Sequence, residues 1–234
     1  MPIVKSEAFI LKSFRYGETS KIVTIFSKQL GKINAVVKGA RNFKSRICGT
    51  LESMNYIEAV IYFKENRDLQ LISSAEYKRS FPGILNDFNK LQLAYRIIEM
   101  TNKSMIQNEA SMRVFDLIID TFENIESSSV NLLSNLLVFQ LKLINLLGLN
   151  PDFSLNKNCE YETFFNYNEL NLNNEQVDLI QKIEYSNLNN ENLKIDETKM
   201  TTIIECYEKY LLYHTVGSKS YNSNKVFKQI NQYN

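Results

Sequence analysis

The sequence predicts an α+β fold, a small five-stranded β-barrel followed by an all-helical domain. Three observations carry the prediction. Over residues 1–80 the apolar residues recur with the period of two that a half-buried strand requires, and four of the seven glycines (Gly17, Gly31, Gly39, Gly49) stand between the apolar runs. At Phe81-Pro82-Gly83 that pattern ends and the period becomes helical. Charge divides at the same point: residues 1–80 hold 14 Lys/Arg and 7 Asp/Glu, a net +7, and the remaining 154 hold 13 and 19, a net −6. The whole-chain sum of +1 conceals this split.

Five strands are expected, over Val4–Lys12, Lys21–Phe26, Lys32–Lys38, Thr50–Phe63 and Leu69–Tyr77. The third alternates most cleanly, with Ile33, Ala35 and Val37 on one face and Lys32, Asn34 and Val36 on the other. The fourth places Ile57, Ala59, Ile61 and Phe63 opposite Met54, Tyr56 and Tyr62. Five short strands with glycine corners suit a closed barrel of the OB type, although alternation alone does not separate it from an SH3-like barrel. After the Pro-Gly break, Asn86 or Asp87 offers an N-cap, and Phe88, Leu91, Tyr95, Ile98 and Met105 share one face of a helix over 87–106. A second helix near 110–125 has Val114, Leu117 and Ile118 on its apolar side.

Residues 130–147 contain 12 apolar residues of 18, but Lys142 interrupts them, and Asn131, Asn135, Lys142 and Asn145 recur at helical spacing. That pattern describes the central helix of a bundle, closed by Gly148 and Pro151, and not a membrane span. Further helices are expected near 174–186 and over 197–213. A short one is expected around Val226, Phe227 and Ile230.

Catalytic and metal signals are missing. His214, the one histidine, ends a helix, where an imidazole meets the dipole favourably. No glycine-rich phosphate loop occurs, since Gly31-Lys32-Ile33 lacks both the preceding glycine and the following hydroxyl. Cys48, Cys159 and Cys206 form no C-x2-C pair, so neither a zinc site nor a disulfide framework is expected, and no cofactor is predicted. Unpaired cysteines and an N-terminus without an apolar signal core fit a cytoplasmic protein.

The strongest chemical signal is basic. Between Lys12 and Arg46 nine cations (Lys12, Arg15, Lys21, Lys28, Lys32, Lys38, Arg41, Lys44, Arg46) face one acid, Glu18. Phe14, Tyr16 and Phe43 are interleaved with them. Cations neutralise phosphates with release of counterions, and aromatic faces stack on unpaired bases. The predicted nucleic-acid-binding residues are therefore Arg15, Tyr16, Lys21, Lys32, Lys38, Arg41, Phe43, Lys44 and Arg46.

The run Glu7-Ala8-Phe9-Ile10-Leu11-Lys12-Ser13, then Tyr16-Gly17-Glu18-Thr19-Ser20-Lys21-Ile22-Val23-Thr24-Ile25-Phe26-Ser27, resembles the start of the bacterial recombination mediator family RecO. Gly31-Lys32-Ile33-Asn34-Ala35-Val36-Val37-Lys38-Gly39-Ala40-Arg41, Lys44-Ser45-Arg46 and the Ser80-Phe81-Pro82 junction continue the likeness over the first third of the chain. Beyond residue 86 it is mainly architectural, apart from Gly217-Ser218-Lys219-Ser220.

The resemblance implies an OB domain over 1–80, packed on a helical domain over 81–234, and a role that is not enzymatic. Such a protein binds single- and double-stranded DNA and anneals complementary strands coated with single-strand binding protein (SSB). With RecR it helps load RecA, and RecF is a further possible partner. Many members carry a four-cysteine zinc element where this chain has only Cys159, within about 151–173, so a degenerate element without metal is expected. For the SSB C-terminal tail, Lys142 beside Phe139, Leu143 and Leu146 is the candidate pocket. The alternative is an OB-type protein-interaction scaffold that does not anneal DNA.

Overall fold

A computed structural model describes residues 2–42, 47–129, 132–151, 165–167, 170–185 and 197–215. Five strands, β1 (Ile3–Tyr16), β2 (Ser20–Ser27), β3 (Gly31–Val37), β4 (Tyr56–Tyr62) and β5 (Leu69–Arg79), form a closed barrel in the order β1-β2-β3-β5-β4. β1 closes the ring against β4, and only the β3–β5 pair is parallel. A five-stranded Greek-key barrel of this kind is the OB arrangement. Ala8, Ile10, Val23, Ile25, Ile33, Ala35, Val37, Ile57, Ala59, Ile61 and Ile72 fill its interior.

β1 extends four residues beyond the expected end at Lys12, and a bulge between Ile10 and Lys12 shifts its register. A bulge leaves one residue without a partner, so the residues beyond it change faces. Before the bulge, Phe9 and Leu11 point out of the barrel into the helical core; after it, Lys12 and Phe14 lie on the exposed outer face. β4 begins at Tyr56 and not at Thr50. The apolar residues ahead of it are buried as expected, but the chain there is a turn. Ile47 and Leu51 plug the barrel, and Met54 takes a left-handed φ of 81°. Asn55 Nδ2 donates to the carbonyls of Gly49 and Thr50 at 3.1 Å each.

A short helix α1 (Pro82–Leu85) follows the barrel, then α2 (Phe88–Ser104), α3 (Met112–Ser127) and α4 (Leu132–Leu146). Asp87 caps α2, its Oδ1 accepting from the amides of Asn89 at 2.9 Å and Lys90 at 3.2 Å. Gly148, at a φ of +69°, ends α4, with the Leu149 amide donating to the Ile144 carbonyl at 3.0 Å. A small hairpin of β6 (Phe165–Tyr167) and β7 (Leu170–Leu172) was not expected in the asparagine-rich stretch. Each strand alternates an apolar residue with asparagine, the period-two pattern in miniature. α5 (Asn174–Tyr185) and α6 (Glu197–Thr215) complete the described chain. Cys159, the Gly217–Ser220 run and the segment around Val226–Ile230 lie outside the described residues. No helix among the described residues is long and apolar enough to cross a membrane.

The face of α2 differs from the expectation. Its buried residues are Leu93, Ala94, Ile97, Ile98, Met100, Thr101 and Ser104, while Phe88 and Tyr95 are exposed. α2 packs against both the barrel and α4 and α6, so its buried arc is broad and includes small and polar residues. Barrel and helices share one core, in which Phe9 stacks on Tyr56 at 4.8 Å and meets Phe115 and Phe122 at 5.4 and 5.5 Å.

Gly31 sits at this junction. Its φ is +69°, and a Cβ there would lie 2.0 Å from the Glu109 carbonyl oxygen, so both conformation and close approach require glycine. Beside it the Asn108 amide donates to the Lys32 carbonyl at 2.9 Å, which fastens the loop before α3 to the start of β3.

Candidate nucleic-acid interface

Strand register resolves the outer face of the barrel into rows. Phe14 pairs with Ile22, Ile22 with Val36, Val36 with Leu71, and Leu71 with Tyr62. All five side chains stand on the outside of the sheet, and none is fully buried. An unbroken apolar row thus runs round the barrel through every strand, at outward positions where a solvated barrel would be polar. On one side of it lies a polar row, Lys12, Thr24 and Asn34, in which the Thr24 hydroxyl donates to Asn34 Oδ1 at 2.8 Å. On the other side β1 ends in exposed Arg15 and Tyr16, and β3 runs into exposed Lys38. The helical domain covers the next level down, where Phe26 pairs with Lys32.

The predicted cations separate into two kinds. Arg15 and Lys38 are exposed and have no ion pair among the described residues. Arg41 braces the turn between β1 and β2: its Nη1 donates to the Gly17 carbonyl and its amide to the Thr19 carbonyl, both at 2.9 Å. Tyr16 is 53% exposed at the edge of that turn, open to a stacking partner.

Lys21 and Lys32 are occupied by the fold. Lys21 Nζ donates to Glu52 Oε1 at 2.6 Å, and its side chain is only 13% exposed. Lys32 Nζ donates to the Asn102 carbonyl at 2.7 Å, serving as a cationic cap on the last turn of α2. Burial holds the Lys32 ammonium below its ordinary pKa. Phe43, Lys44 and Arg46 lie outside the described residues.

Two residues of this face escaped the sequence prediction. Phe14 is 43% exposed, and Lys12 Nζ lies 5.8 Å from its ring centroid. A cation beside an exposed aromatic ring is the pair that takes a phosphate and a base together. Their signal was present, since both belong to the basic aromatic run, but the bulge that turns them outward has no sequence mark.

The pocket expected beside Lys142 does not form. Phe139 and Leu143 are fully buried in the helical core, while Lys142 is exposed on the opposite side of α4. Leu146 is half-buried against that same core. One helix cannot present the lysine and those two side chains of its buried arc to the same ligand.

Two family models match the chain: the N-terminal domain of recombination protein O over residues 1–81 and its C-terminal domain over 85–221. The chain belongs to the recombination protein O family. Among curated members, the DNA repair protein RecO of Chloroherpeton thalassium is 34% identical over 151 residues, covering 64% of this chain and 58% of that protein. The RecO of Pelodictyon phaeoclathratiforme is 32% identical over 64% of this chain and 57% of its own length. That of Alkaliphilus metalliredigens is 30% identical over 67% and 63%. The matched region therefore spans about six tenths of each of these relatives. The N-terminal family model covers the whole barrel, including both rows of the outer face.

Proposed function

We propose that this chain acts in DNA repair and homologous recombination as a mediator without catalytic chemistry, binding DNA across the outer face of its barrel. Family membership supports the general role. The observation that carries the interface is the row from Phe14 to Tyr62, flanked by Lys12, Arg15 and Lys38 with no ion pair among the described residues. Stacking surface and unspent cations occur together there, and unpaired strands require both.

Annealing follows from the same arrangement. Two strands repel through their phosphates, and a basic face lowers that repulsion while an apolar row holds bases unpaired. In the cell such a protein anneals complementary strands coated with SSB and, with RecR, assists the loading of RecA. RecF is a further partner of this reading, and the cytoplasm is where these partners meet DNA.

The test is annealing of complementary oligonucleotides coated with SSB, comparing wild type with Lys12→Glu/Arg15→Glu/Lys38→Glu. The expected result is loss of annealing with an unchanged circular dichroism spectrum. About four phosphates contacted on a single strand, through these cations and Arg41, give a slope of log affinity against log salt near −2.8. Unchanged annealing by the triple variant would show that the barrel face is a protein scaffold and not the DNA surface.

A further inference from the structure

The stripe Phe88, Leu91, Tyr95, Ile98 and Met105 runs along one side of α2, beside the arc that faces α4 and α6. The barrel covers its second half: Ile98 and Met105 are 2% and 6% exposed, and next to them Lys32 Nζ reaches the Asn102 carbonyl. Toward the start of α2 that cover ends. Tyr95 borders the barrel, where burial and the Glu52 carboxylate raise its phenol, yet it is still 36% exposed. Leu91 is half-buried and Phe88 is 43% exposed.

α6 ends beside this stretch. Gln140 Nε2 donates to the Ile204 carbonyl at 3.2 Å and to Met100 Sδ at 3.7 Å, so Ile204 stands level with Met100. Glu208 is bonded to Arg96 and stands level with it. Four residues forward on α6 thus answer four residues back on α2, and the two helices run antiparallel. Thr215, seven residues past Glu208, is then level with Asn89, where the exposed stretch begins.

Residues 216–234 continue from that point and lie outside the described residues. Their sequence is amphipathic at helical spacing. Val226, Phe227, Ile230 and Tyr233 fall within about 120° of one another, with Lys225 and Lys228 on the opposite side. Gly217, directly after α6, suits a reversal of the chain. From Val226 to Tyr233 a helix rises about 10 Å, the same as from Phe88 to Tyr95. Charge agrees as well. The tail holds three lysines and no acid, whereas residues 81–215 hold 10 Lys/Arg against 19 Asp/Glu, a net −9. Glu52 and Glu99 border the exposed stretch from the barrel and from α2 itself.

We propose that the C-terminal tail of this chain folds back along α2 and sets Val226, Phe227 and Ile230 against Phe88, Leu91 and Tyr95. The chain's own tail is the occupant because it starts at the correct end of α2, matches the stretch in length and brings positive charge to an acidic domain. A tethered segment also meets the face at a high effective concentration. Docking completes the apolar cover that the barrel begins, and it turns Lys225 and Lys228 outward.

Hydrogen exchange of the full chain, read by mass spectrometry, tests the docking. Amides of residues 222–233 should exchange at least about tenfold more slowly than an unstructured peptide of the same sequence. Phe88→Glu/Tyr95→Glu should abolish that protection, while peptides from β2 and α4 exchange as in wild type and report an intact fold. Unprotected tail amides in wild type overturn the docking, and so does protection that survives the double substitution. Photo-crosslinking reads the same contact even where Phe88→Glu/Tyr95→Glu does not fold. With p-benzoylphenylalanine in place of Tyr95, the crosslink should form within one chain, to residues 226–233. No crosslink, or one to any other segment, overturns the proposal; crosslinked dimers overturn it too and give the face to a second copy.

Discussion

Lys32 and Lys38 belong to one strand and its exit, and the fold assigns them opposite duties. Lys38 is exposed beside the apolar row, whereas Lys32 is half-buried and bonded to the Asn102 carbonyl. Substituting Lys32→Met gives up one charge-assisted hydrogen bond and relieves the burial of an ammonium, two changes that oppose each other. Stability should therefore shift by no more than about 1.5 kcal/mol, and the salt slope of DNA binding should stay where it is. Lys38→Met should make that slope shallower by about 0.7 with stability unchanged. A salt titration of both variants decides it, and a shallower slope for Lys32→Met would return that lysine to the interface. The basic run was legible in the sequence, but its division was not. The partners that occupy Lys21 and Lys32 are Glu52 and Asn102, far along the chain, and nothing local marks them.

Glu7 makes the same point for pH. A hydrogen bond from the Tyr56 hydroxyl at 2.5 Å, and then the Lys78 ammonium at 2.9 Å, hold its carboxyl below the ordinary 4.5. Burial, together with the same contact, raises the Tyr56 phenol. A carboxyl depressed by folding contributes stability that is complete above its unfolded pKa and disappears as pH falls through its folded pKa. Wild type should thus exceed Glu7→Gln in stability at pH 7, and the gap should close below about pH 4.5. Denaturant melts at pH 7, 5 and 3 measure it; a constant gap would locate the effect of the substitution in packing and not in charge.

At the scale of elements, α2 and α6 meet inside the protein through an ion pair in which two guanidinium N–H groups converge on one carboxylate oxygen. Arg96 donates from Nε at 3.0 Å and from Nη2 at 2.6 Å to Glu208 Oε1, and the two side chains are 12% and 5% exposed. The attraction is large at such burial, but so is the desolvation that opposes it. Arg96→Met alone should cost about 3–5 kcal/mol, because it strips the buried carboxylate of its guanidinium. Arg96→Met/Glu208→Leu should recover most of that loss. Chemical denaturation of the two variants separates the outcomes, and a double variant as unstable as the single would mean that the pair holds the helices together by its own attraction.

Other element features show where sequence patterns stop. The five strands are legible because each has one wet and one dry face, which imposes the period of two. The dry face of α2 is not legible, because barrel and helices bury it from two sides and admit Thr101 and Ser104 to the arc. The bulge in β1 is silent for a related reason. Phe9 and Leu11 are as apolar as the barrel-lining Ala8 and Ile10, so the side they face cannot be read from hydropathy.

At the scale of the molecule, the charge split suggests two independent halves, and the core contradicts that picture. A barrel of net +7 and helices of net −6 share a single apolar cluster to which the barrel contributes Phe9, Leu11, Phe26, Met54 and Tyr56. Ion pairs ring the seam, with Lys28 reaching Asp116 at 3.5 Å and Arg79 reaching both Glu123 and Glu126. These pairs are partly exposed and add little each, so the aromatic cluster must dominate the coupling. Removing the helices would leave those five apolar barrel residues in water, a loss of several kcal/mol by area. That is comparable to the whole stability of a domain this small. The two halves should therefore unfold together. Native-state hydrogen exchange reads this directly: the slowest amides of β2 and those of α2 should report the same opening free energy. Phe9→Ala should lower both by about 3–5 kcal/mol although the residue belongs to the barrel. If Phe9→Ala lowers only the barrel value, the barrel opens on its own, and its loops are free to reorganise without the helices.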